Sequence, residues 1–70
     1  MIRLKYFPHE ELGTFEILAD GLLVYASTDP EEIARVLATR FSADTPRSLV
    51  SAAERFGSVR VYDRTSAEQA

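Results

Sequence analysis

The chain has 70 residues, with eight Lys or Arg against eleven Asp or Glu, a net charge of −3 and no cysteine. That bounds it to one small domain and excludes disulfide staples, zinc–thiolate sites and thiol catalysis. The acidic balance argues against a general nucleic-acid binder, while 46% hydrophobic and 27% charged residues describe a folded chain rather than a disordered one.

The first element is a strand. In "MIRLKYF", Ile2, Leu4 and Tyr6 alternate with Arg3, Lys5 and Phe7, the period of a strand with one buried face. Pro8 lacks a donor N–H and ends it. "PHEELG" follows as a polar loop, with Gly13 expected to take dihedrals that other residues avoid.

"TFEILADGLLVYAS" reads as a hairpin. Asp20-Gly21 suits a two-residue type I′ turn, in which both residues need positive φ. Regular pairing outward from that turn sets Ala19 against Leu22, Leu18 against Leu23, Ile17 against Val24, Glu16 against Tyr25 and Phe15 against Ala26. One face then carries Phe15, Ile17, Ala19, Leu22, Val24 and Ala26. The other carries Glu16, Leu18, Leu23 and Tyr25, so both faces of the hairpin are largely apolar.

Two helices follow. Asp29 is placed to cap, Pro30 fits the first helical position, and Glu31 and Glu32 favour the positive end of the dipole. Ile33, Val36, Leu37 and Phe41 form a core-facing stripe, and Glu31 precedes Arg35 at the i,i+4 spacing of a favourable ion pair. The pattern restarts at "DTPRSLVSAAERFG", with Asp44 or Thr45 as cap, Pro46 in the first turn, Leu49, Ala52, Ala53 and Phe56 on one face, and Gly57 as terminator. "SVRVYD" is a last strand, with Val59 and Val61 inward and Arg60 and Tyr62 outward.

The order β-β-β-α-α-β predicts an α+β two-layer sandwich: an antiparallel four-stranded sheet with two helices on one face. The domain is expected to span 1–63, with 64–70 a frayed tail lacking an apolar anchor. The expected core comprises Ile2, Leu4, Tyr6, Phe15, Ile17, Val24, Ile33, Val36, Leu37, Phe41, Leu49, Phe56, Val59 and Val61. Whether the last strand lies beside the first or the third is left open by the pattern.

Helices on one face leave the other uncovered. It is expected to present Leu18, Leu23 and Tyr25 as apolar anchors, with Arg3, Lys5, Arg60 and Tyr62 around them and Phe7 and Glu16 nearby. Aromatics and Arg are enriched at interfaces, and an exposed apolar patch on a small domain marks a contact surface. Antiparallel sheets also commonly face water on one side, so the same residues serve an ordinary solvated face. The reading that follows is a non-enzymatic protein-interaction module, an accessory subunit or inhibitor of a larger protein, acting on a protein partner or as a homodimer. The alternative is nucleic-acid or other anion binding, since basic residues interleaved with aromatics on an open sheet stack bases and pair phosphates.

Chemistry has little to stand on. "PHEE" holds the only histidine, and His9, Glu10 and Glu11 lack a second imidazole to complete a metal site or catalytic base. No serine sits in a Gly-x-Ser-x-Gly setting and no glycine-rich phosphate loop occurs. "DTPRS" is explained by helix capping rather than by phosphorylation or docking. No catalytic residue, metal or cofactor is expected. With an apolar run of only Leu22 to Ala26 and no signal-like leader, the expected compartment is cytoplasmic.

Overall fold

The computed structural model describes residues 1–9 and 11–62, Tyr62 through its backbone alone. The segment 64–70, expected to fray, lies outside the described residues. Six elements follow in order: β1 (Ile2–Phe7), β2 (Thr14–Ala19), β3 (Leu22–Ser27), α1 (Pro30–Arg40), α2 (Pro46–Phe56) and β4 (Ser58–Tyr62). The strands form one antiparallel sheet in the order β3-β2-β1-β4, with both helices packed on one face. The α+β two-layer architecture is the one that the alternation and the restarted helical pattern predict. The position of β4, undecided by the pattern, is beside β1.

The core lies between the sheet and the helices. Leu4, Phe15 and Ile17 from the strands meet Ile33, Ala34 and Leu37 from α1 and Val50 and Ala53 from α2, all buried. Tyr6 and Phe15 pack with ring centroids 4.7 Å apart at a tilt of 46°. Tyr6 also explains Gly13. A Cβ at that position would collide with the Tyr6 ring, so this glycine is required by close approach and not by positive φ.

The β2–β3 turn has the conformation that Asp-Gly demands, with φ of 52° at Asp20 and 85° at Gly21. Pairing starts as expected, Ala19 with Leu22 and Leu18 with Leu23, and then slips. Ile17 pairs with Tyr25 and Glu16 with Ala26, which leaves Val24 as the extra residue of a β-bulge. Everything beyond the bulge changes face. Val24, expected in the core, is 42% exposed, while Tyr25 packs against the core and its hydroxyl donates a hydrogen bond to the Glu32 carboxylate of α1. The bulge therefore trades an aliphatic residue for an aromatic one whose polar tip finds a partner.

α1 begins as its sequence directs. The Asp29 carboxylate accepts from the Glu31 amide at 3.0 Å, and Ser27 Oγ accepts from the Asp29 amide at 3.0 Å. Glu31 pairs across to Arg47 of α2 at 2.6 Å rather than along its own helix to Arg35, tying the two helices at their exposed edge. In α2, Thr45 occupies the cap position but its side chain makes no capping bond; its carbonyl accepts from the Leu49 amide at 3.1 Å. Gly57 closes the helix at φ 85°, its amide donating to Ala53 O at 2.7 Å, and its carbonyl accepts from the Tyr6 amide at 2.9 Å.

Phe56, expected inside, is 74% exposed, with the Arg55 guanidinium 5.6 Å above its ring centroid. At 3.6 residues per turn, Val50 and Phe56 lie on opposite margins of the stripe through Ala53, each about 60° away. The helix is rolled so that Val50 is buried, and Phe56 in the last turn is left outside.

Candidate protein-interaction face

The uncovered face of the sheet is built by register. Three strand pairings place Leu23, Leu18, Arg3 and Arg60 in one row across β3, β2, β1 and β4. The next row holds Ala26, Glu16, Lys5 and Ser58, and Phe7 stands opposite Thr14 beyond it. Arg3 Nη1 donates to Ser58 Oγ at 2.9 Å, a contact that bridges the two rows on this face.

The face is polarised. Its β3–β2 half is aliphatic in the first row, with Leu18 half-buried and Leu23 57% exposed, and carries Glu16 in the second. Val24 at the bulge is 42% exposed, and Leu22, paired with Ala19 and so on the opposite parity to Leu23, is 72% exposed at the tip of the same strand. Its β1–β4 half is basic, with Arg3, Lys5 and Arg60 close together. Among the described residues none of these three cations pairs with a carboxylate, although Glu16 stands opposite Lys5 in register. Arg3 and Arg60 are direct cross-strand neighbours. A shallow depression runs between the halves, bounded by Leu18, Arg3, Lys5, Ser58 and the Asp20-Gly21 turn.

Of the residues expected here, Arg3, Lys5, Leu18, Leu23 and Arg60 are brought together. Tyr25 is not: the bulge carries it to the helix side. There the hydrogen bond to Glu32, with burial and the carboxylate's charge, raises the phenol pKa above its ordinary value, while Arg35 and Arg40 act weakly the other way. The Tyr62 side chain lies outside the described residues. Leu22, Val24 and Ser58 join the face or its rim without having been singled out. Ser58 was readable, since it shares the parity of Arg60; Val24 was hidden by the bulge.

Other candidates stay apart. His9 and Glu11 are exposed loop residues, and Glu10 is outside the described residues. Among the described residues no group of three or more His, Asp or Glu side chains is arranged to hold a metal ion, and no helix is long and apolar enough to cross a membrane. No protein-family profile, curated protein or solved structure matches the chain.

Proposed function

We propose that this chain is a non-enzymatic interaction module that binds a protein partner through the open face of its sheet. The observation that carries this reading is the face itself. Leu18 and Leu23 lie on the open face beside the exposed bulge residue Val24, and the neighbouring strands carry a basic cluster that pairs with no carboxylate among the described residues. Contiguous exposed aliphatic surface is the property that separates a contact patch from scattered surface leucines. Arg beside it supplies orientation and on-rate through charge, with the aliphatic residues as anchors. The departure of Tyr25 weakens the alternative of nucleic-acid binding, because it removes an aromatic platform on which a base would stack.

The test is a differential capture from the native host with the parent chain and the Leu23→Arg variant as baits. Leu23 points away from the core, so the variant is expected to keep its circular dichroism spectrum and melting temperature. The reading requires a protein retained by the parent and lost by the variant. Identical retained sets with both baits would refute it. Sedimentation of the purified parent over a wide concentration range reads self-association in parallel.

A further inference from the structure

We infer that the partner is an acidic protein segment whose apolar anchors and carboxylates are set about two strand spacings apart. The inference rests on the open face being a protein-binding surface, and adds the chemistry of what it binds.

Charge points to this partner. The chain as a whole is acidic, with eight basic against eleven acidic residues, yet the two central rows of this face hold three cations and one carboxylate. Asp20 at the rim is taken by the Met1 amine at 2.7 Å. Like charges directly opposite on neighbouring strands destabilise a sheet, and Arg3 opposite Arg60 is such a pair. Ser58, opposite Lys5, gives Arg3 a neutral acceptor where a carboxylate would have neutralised it. Among the described residues the two guanidinium groups thus have no carboxylate partner, and Arg3 is oriented by Ser58, which suits groups that receive carboxylates from outside.

A second copy of the chain fits badly. A two-fold axis running across the strands lays leucine on leucine but also cation on cation. An axis along the strands lays leucine on cation. Shifting the copies so that only the aliphatic halves meet leaves a handful of partly exposed side chains, short of the roughly 800 Å² per partner that a stable interface needs. A partner with its own apolar and acidic halves satisfies both sides at once.

Geometry sets the spacing. From the Leu18–Leu23 pair to the Arg3–Arg60 pair is two strand spacings, roughly 10 Å. That is about three residues of an extended chain laid across the strands, or about seven residues along a helix.

The test is selection of random displayed peptides on the full chain, followed by anisotropy titration of the winners at physiological salt. The expected winners carry Leu, Ile or Phe anchors offset from Asp or Glu by one of those spacings. Their affinity should fall about tenfold or more with Arg60→Glu and with Lys5→Glu. Arg60→Glu should melt no lower than the parent, since it relieves the like-charge pair with Arg3, whereas Lys5→Glu faces Glu16 and should melt slightly lower while remaining folded. Neutral or basic winners, an empty selection, or displacement of the winners by oligouridine RNA would each overturn the inference. Winners sensitive to Leu23→Arg but not to charge reversal would overturn the acidic chemistry alone and leave the face standing. Winners insensitive to both would bring down the face as well.

Discussion

The two faces of this sheet are made from the same strands, a residue apart, and they obey different rules. On the helix side Leu4, Phe15 and Ile17 are buried, and each has little freedom to change size. On the other side Arg3, Leu18, Leu23 and Arg60 share a row with no helix over them, and their stability cost is mostly cross-strand. Neighbouring residues of β2 make the contrast sharp. Ile17 is fully buried and Leu18 is only half-buried, so one position belongs to folding and the next is available for binding.

The largest effects are expected where the helix face is damaged. Ile17→Ala should cost about 2–5 kcal/mol in urea melts, from lost transfer energy plus the cavity left behind. In a domain of this size that is a large share of the whole stability. Leu18→Ala, one residue on, should cost less than about 1 kcal/mol. Equal losses at the two positions would mean that the faces are not distinct. Gly13→Ala comes next. The new methyl would meet the Tyr6 ring, and relief of that overlap by moving Tyr6 off Phe15 should cost about 1–3 kcal/mol.

The same contrast explains what could be read before the fold was known. β1, β2 and both helices were legible because their signals are local: strict alternation in "MIRLKYF", Asp-Gly at the turn, Asp29-Pro30 and Thr45-Pro46 at helix starts. The strand β3 misled because alternation is cumulative. One extra residue at Val24 moves Tyr25 and Ala26 to the opposite faces, and nothing in "LLVYAS" announces it. The deciding interaction is non-local, between Tyr25 and Glu32 on α1. Phe56 was misplaced for a related reason, since the roll of α2 by a fraction of a turn depends on how Val50 meets the sheet. The make-up of the open face was little affected, because Leu23 precedes the bulge in β3 and Arg3, Leu4 and Lys5 pair regularly with Arg60, Val59 and Ser58, the register of β1 and β4 shifting only between Ile2 and Arg3.

On the open face a smaller effect of opposite sign is expected. Arg60→Glu replaces a like-charge cross-strand pair with an opposite-charge one, so the folded state should gain about 0.2–1 kcal/mol. The gain should shrink as salt is raised, because Arg60 is solvent-exposed. A variant that is more stable and binds less well would show that the parent arrangement is kept for something other than stability. A variant less stable than the parent would place the Arg60 side chain in contacts that the register does not assign to it.

The most delicate way to separate the faces is the titration of Tyr25. Its phenol pKa is raised in the folded chain above the ordinary value of 10.0, chiefly by the hydrogen bond to Glu32. The unfolded chain therefore loses this proton at a lower pH than the folded one. Below about pH 10 both states hold the proton and the contribution of the hydrogen bond is complete. As pH rises past the unfolded value, unfolding releases a proton, and that contribution falls away through the folded value. Tyr25→Phe removes the group, so the difference in stability between parent and variant should be constant from pH 7 to 9 and shrink above about pH 10. Urea melts of both proteins across that range read the difference directly. Had β3 continued in regular alternation, Tyr25 would stand beside Glu16 on the open face, and replacing Glu32 with Gln would leave this pH dependence untouched. With the bulge in place, Glu32→Gln should abolish most of it. The pair of substitutions thus reports on which face of the sheet Tyr25 occupies, and so on whether one extra residue in an edge strand has moved an aromatic side chain off the open face and into the fold.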